Sequence, residues 1–215
     1  MIKQIILSAF LLFVFIIFNS CDSATEVTEN PSFDNSYTPL KVGIETQFFY
    51  YSDSTYLNNK ISGKAIREDG QEVFIETHAK SNGSGINYSY SFIKNGYFYK
   101  TSLIKTVYEE NPFGEIRIAK PYPQDGDSWY FSEASDSEPI LYTAHFIGEM
   151  VTPAGVFEDV YSFQYKFKFF PDTVKVYYAK GIGCIGSSSH QGLVLVNYVK
   201  TADKEYGKQV PYPKR

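Results

Sequence analysis

Between Val156 and Phe170 the chain alternates apolar and polar positions almost without a break. Phe157, Tyr161, Phe163, Tyr165, Phe167 and Phe169 fall on one face of an extended chain, and Ser162, Gln164, Lys166 and Lys168 on the other. A period of two describes a strand with one packed and one wet face. Its antiparallel partner is predicted over Ile140 to Val151, joined through Pro153-Ala154-Gly155, where Pro presets the first turn position and Gly takes the left-handed one. Upstream, Ile86, Tyr88, Tyr90 and Phe92 share a face opposite Asn87, Ser89 and Ser91, and Asn95-Gly96 closes a hairpin to a strand from Tyr97 to Val107. Strands are also predicted over Gly43–Tyr51, Lys60–Arg67, Glu72–Lys80, Glu115–Ala119, Ser128–Phe131 and Thr173–Ala179. Leu193–Val199 is apolar on both faces, hence central or covered on both sides. No stretch after Cys21 sustains the i, i+3, i+4, i+7 stripe of a helix. The fold class predicted is all-β: an antiparallel sheet, as a sandwich or a half-open barrel, after an N-terminal signal helix.

The N-terminus obeys another rule. After Lys3 an apolar run extends from Ile5 to Phe18. Its length of about 14 residues falls short of the roughly 20 needed to span a bilayer core. A charged start, a short apolar middle and a small residue, Ser20, describe a secretory leader. Cys21 follows at once. This segment resembles a bacterial lipoprotein leader, in which the chain is cut before the cysteine, here between Ser20 and Cys21. The thiol then carries a diacylglyceryl group and the new amine an acyl chain such as palmitate. The match departs from the common pattern, with Phe18 where Leu is usual. The other reading is a leader cut elsewhere, with Cys21 paired to Cys184 in an oxidising compartment. A thioether and a disulfide exclude each other at one sulfur.

Asp22 to Pro39 has no apolar period, carries Asp22, Glu26, Glu29 and Asp34, and has neither Lys nor Arg. Such a segment buries too little to offset its ordering entropy. As a coil of about 18 residues it would reach roughly 25 Å. The expected organisation is therefore a leader over 1–20, a flexible acidic tether over 21–39, one β-rich domain over 40–200 and a loosely ordered tail over 201–215. Lipidation would place the domain in the cell envelope, at the outer membrane, on its periplasmic or its outer side.

Two further pieces carry a resemblance: Thr152-Pro153-Ala154-Gly155-Val156-Phe157, and then Tyr177-Tyr178-Ala179-Lys180-Gly181-Ile182-Gly183-Cys184-Ile185. Together they resemble the P-A-G-x-F hairpin and Y-Y-A-x-G-I-G-x-I strand in the C-terminal halves of largely uncharacterised β-rich lipoproteins of the Bacteroidota type. The resemblance spans roughly residues 126–199 and implies a fold, not an activity. Physically, Gly181 and Gly183 suggest a kink or bulge in a strand.

Composition narrows the function. The chain has 19 Tyr and 18 Phe against one Trp, which suits pleated surfaces. The formal net charge of −4 and the lack of any Lys/Arg cluster exclude the usual nucleic-acid binder. The histidines, His78, His145 and His190, show no metal-ligand spacing, and neither a metal nor another cofactor is expected. Ser187-Ser188-Ser189-His190 lacks the nucleophile-elbow pattern. Asp125 and Asp127 flank Gly126 as in some calcium loops, without the rest of the ligand set. Cys184, if unpaired, reads as a small apolar core residue. Ser23, Ser54 and Thr173 sit in short Asp-Ser/Thr sequences resembling Bacteroidota O-glycosylation acceptors.

No catalytic residue emerges. The leading expectation is a lipid-anchored, non-enzymatic domain that binds a ligand or an envelope protein. One alternative is a carrier of an apolar ligand such as a lipid, in a cavity lined by Phe163, Tyr165 and Phe167. The other is an envelope hydrolase acting on glycans, which requires two carboxylates or a Ser–His pair converging in a cleft.

Overall fold

The computed structural model describes residues 35–81, 85–105, 111–131, 140–167 and 172–211. Ser20, Cys21, Ser23 and Phe169 lie outside them. The described residues belong to a unit running from Phe33 to Arg215. Its strands are β1 (Glu45–Tyr50), β2 (Thr55–Ile66), β3 (Glu72–Lys80), β4 (Ile86–Lys94), β5 (Tyr97–Thr101), β6 (Ile116–Ala119), β7 (Ser128–Tyr130), β8 (Leu141–Thr152), β9 (Gly155–Lys166), β10 (Thr173–Ala179), β11 (Gly183–Ser189), β12 (Gly192–Lys200) and β13 (Glu205–Gly207). There is no α-helix among the described residues.

The strands form a single antiparallel sheet in the order β6-β5-β4-β3-β2-β1-β12-β11-β10-β9-β8-β7, with β13 beside β12. The two ends of that order meet. Arg117 N–H on β6 donates to the carbonyl of Phe131, just past β7, at 2.8 Å. Phe98 of β5 and Ala119 of β6 share one apolar cluster with Trp129 of β7 and Tyr142 of β8. The sheet thus almost closes into a barrel, which leaves little exposed strand edge. Of the two architectures expected, the barrel is the one formed.

Bulges shape the wall. Register shifts fall at Gln47/Phe48, Ile61/Gly63, Phe98/Tyr99, Tyr177/Tyr178 and twice on β8 around Gly148. Next to Val160, the partner of Gly148, Asp159 takes a positive φ of 51°, and an extra residue there increases twist and bends a strand. The long β8–β9 hairpin curls until Ala154 N–H reaches the carbonyl of Val196 on β12, at 3.2 Å. That bulge also divides the face predicted to be shared. Phe157 packs with Val160, Ile185 and Val196 in one cluster, whereas Tyr161, Phe163 and Tyr165 belong to the cluster around Trp129.

Four local differences from the sequence reading have physical causes. Gly181 and Gly183, with φ of 71° and 96°, close the β10–β11 turn rather than kink a strand. β11 (GCIGSSS) has no β-forming pattern and exists because β10 and β12 pair with it on either side. The boundary at residue 40 is too late: Ser36 is fully buried and Tyr37 N–H donates to the carbonyl of Pro121 at 2.9 Å. The tail is tied down as far as Val210. Its N–H donates to Gln47 Oε1 at 2.8 Å, and its carbonyl accepts from Gln47 Nε2 at 2.9 Å.

Candidate functional site

The two faces of β4 are used the opposite way from a simple amphipathic strand. Ile86 and Tyr88 are 61% and 60% exposed, while Ser91 is fully buried. The register explains it: Ser91, Ser89 and Asn87 stand opposite Phe74, Glu76 and His78 of β3, and directly opposed residues share a face. Phe92, on the aromatic face, is covered from outside. The Arg67 guanidinium lies 5.2 Å from its ring and 4.1 Å from that of Phe113, held by Asp69 at 2.6 Å and Glu115 at 2.7 Å.

The barrel holds a cavity of about 320 Å³ that opens to solvent on one side, at the small end of the range that holds ligands, about 300–1,000 Å³. Its walls differ. Phe48, Tyr50, Leu57, Tyr178, Ile182 and Val194 make an apolar side; Asn59, Glu76, His78 and Lys100 make a polar one. Lys100 Nζ lies 2.6 Å from Glu76, and Ser91 donates its hydroxyl to the same carboxylate oxygen. Burial works to raise the Glu76 carboxyl, but the Lys100 ammonium and these hydrogen bonds outweigh it and hold the group below its usual range.

His78 is the hub of the polar side. Its Nδ1 lies 2.8 Å from Asn59 Oδ1 and its Nε2 2.7 Å from Ser89 Oγ. Burial lowers its pKa, opposed by the Glu76 carboxylate and assisted by the Lys100 charge, so the ring is neutral at pH 7. Nδ1–H then donates to Asn59 and Nε2 accepts from Ser89. Ser89 Oγ also lies 3.4 Å from Lys100 Nζ.

Two other cavity residues matter. Thr38 lines the cavity and is only 4% exposed, and its hydroxyl has no hydrogen-bond partner among the described residues. Cys184 also lines it. Burial pushes its thiol up to about 11, and Sγ makes a weak contact with the Gly186 carbonyl at 3.7 Å. The thiol is protonated and behaves as a small apolar group.

The three aromatics singled out in sequence stand elsewhere. Phe163 is fully buried between Trp129, edge-on at 5.2 Å, and Tyr178, stacked at 4.7 Å. Tyr165 rests on Tyr142 at 4.5 Å and Phe167 on Tyr165 at 5.3 Å. None of the three lines the cavity; they fill the barrel's aromatic side.

The remaining candidates stay apart. His145 and His190 are exposed, Ser188 meets the Tyr177 hydroxyl at 3.1 Å, and Ser189 accepts from Gln191 N–H at 3.1 Å. Asp125 and Asp127 organise a turn, accepting from Phe146 N–H and Gln124 N–H, each at 2.8 Å. No group of three His, Cys, Asp or Glu among the described residues could hold a metal ion. Ser54 lies in an exposed turn at φ 56°, and Thr173 opens β10 exposed.

Glu76, Lys100, Asn59 and Thr38 did not emerge from the sequence. A signal existed: Glu76 and His78 of β3 alternate in step with Ser89 and Asn87 of β4, two polar stretches that pair. No family model, curated protein or solved structure matches this chain.

Proposed function

We propose that this is an envelope lipoprotein whose barrel takes a small molecule with an apolar body into its interior and performs no chemistry on it. The cavity between an apolar wall and a hydrogen-bonded polar wall is the observation that supports this reading. Cys21, acylated, holds the barrel at the outer membrane, and the acidic segment after it serves as the tether. The site differs from the carrier pocket expected in sequence in its walls: Tyr178, Phe48 and Leu57 replace Phe163, Tyr165 and Phe167.

The neutral dye N-phenyl-1-naphthylamine tests the binding. The full chain, purified with Cys21→Ala so that its own acyl group does not compete, is expected to take up the dye at one saturable site. Leu57→Trp or Val194→Trp, which fill the cavity, should remove that site while leaving the far-ultraviolet circular dichroism of the barrel unchanged. Saturation that survives both substitutions would overturn the reading. The anchor has its own test: Cys21→Ala moves the protein from the membrane to the soluble fraction, and unchanged membrane retention contradicts it.

A second reading, hydrolysis, has one observation in its favour. Asn59, His78 and Ser89 stand in the order of an orienting group, a base and a nucleophile, at hydrogen-bonding distances. It predicts covalent labelling of Ser89 by a fluorophosphonate. The binding reading predicts no labelling.

A further inference from the structure

The charges around the cavity cancel. Glu76 pairs with Lys100 at 2.6 Å, and Lys60, the other lysine lining the space, pairs with Glu45 at 2.7 Å. The remaining polar groups of the lining, Thr38, Thr46, Asn59 and Ser187 among them, are neutral, and His78 faces Glu76 and Lys100 uncharged. A ligand carboxylate would set a second anion beside Glu76 with one ammonium to share. A ligand ammonium would crowd Lys100 in the same way. An unbalanced charge partly withdrawn from water is disfavoured, with Lys100 30% and Glu76 15% exposed, whereas a hydroxyl or amide needs only a hydrogen bond.

The inference rests on the cavity being a binding site, and sharpens what binds. We propose that the ligand is uncharged, with a short alkyl or ring body against Phe48, Leu57 and Val194 and a hydroxyl or amide head towards the charge-paired wall of Asn59, Glu76, His78 and Lys100. Fatty acids and alkylamines are disfavoured by charge. Neutral alcohols, amides and monoacylglycerol-like molecules are accepted.

Displacement of N-phenyl-1-naphthylamine by decanol, decanoate and decylammonium at pH 7.5 tests it on the full chain carrying Cys21→Ala. Decanol should displace the dye at a concentration at least about tenfold below either ion. Glu76→Gln leaves Lys100 unbalanced and should bring decanoate level with or ahead of decanol. Lys100→Met should do the same for decylammonium. Wild-type preference for decanoate or decylammonium, or a Glu76→Gln variant that keeps the wild-type order of the three competitors, overturns this inference and leaves the cavity reading standing. Failure of the dye itself to bind overturns both.

Discussion

Inside the barrel wall, Lys100 Nζ and Glu76 Oε1 meet at 2.6 Å, one from β5 and one from β3, with β4 between them. The pair spans a strand whose serines fill the gap, Ser91 donating to the carboxylate and Ser89 lying beside the ammonium. A half-buried ion pair stabilises little against an apolar substitute, but removing one partner strands the other. Lys100→Met is therefore expected to destabilise the barrel by about 3 kcal/mol, and Lys100→Met with Glu76→Leu by distinctly less. Urea unfolding midpoints of the two single variants and the double variant check the sign of the coupling.

His78 makes stability depend on pH in one direction. Its folded pKa lies below the unfolded value near 6.5, because burial disfavours the imidazolium. The unfolded chain therefore binds the extra proton first. The stabilisation is complete above about pH 6.5 and is lost as pH falls from there through the folded pKa. Glu76, also depressed, adds a second loss below about pH 4 as its carboxylate is protonated. The urea midpoint should fall between pH 7.5 and pH 5 in the wild type and stay nearly level over that window in His78→Gln.

Arg67 fastens the outer face as Lys100 fastens the inner one. Its side chain is 3% exposed, over the rings of Phe92 and Phe113, with bonds to Asp69, Glu115 and Thr101. Hydrogen bonding from Arg67 holds the Asp69 carboxyl down to about 2. Arg67→Lys keeps the charge but loses the fork that reaches both acids. It should cost about 2 kcal/mol, with Arg67→Met costing more, in thermal or urea unfolding.

The C-terminal segment is held by a close approach that only glycine permits. Gly207 sits at φ 72°, and a Cβ there would stand 2.7 Å from Ala154 Cα. The tip of the β8–β9 hairpin and β13 therefore meet over β12 with no room for a side chain. Gly207→Ala should release β13 and the Gln47–Val210 hydrogen bonds. The amide of Val210 then exchanges with solvent at least about tenfold faster, while β1–β3 keep their protection.

Much of the strand pattern was legible from alternation and turn chemistry: Glu72–Lys80 and Thr173–Ala179 have the predicted bounds, and Asn95-Gly96 turns β4 into β5 with both residues at positive φ. The site was not. Alternation says that Ile86 and Tyr88 oppose Asn87 and Ser89, but not which face the barrel encloses. The usual rule puts the aromatics inside, and here the serines face in beside the half-buried Glu76–Lys100 pair. The bulge at Asp159 likewise moved Phe157 and Phe163 into different clusters, and a period of two cannot anticipate an extra residue. Only the start of β11, Gly183 to Ile185, was covered by the resembling strand; pairing, not composition, carries it on to Ser189.

The occupied cavity can be located directly. Intermolecular nuclear Overhauser effects between bound decanol and the methyl groups of the full chain with Cys21→Ala report which residues the alkyl chain touches. Effects to Leu57 and Val194, on the cavity's apolar wall, are the predicted result. Effects confined to outward groups such as Ile86, Val151 and Val156, with none to Leu57 or Val194, would contradict an interior site.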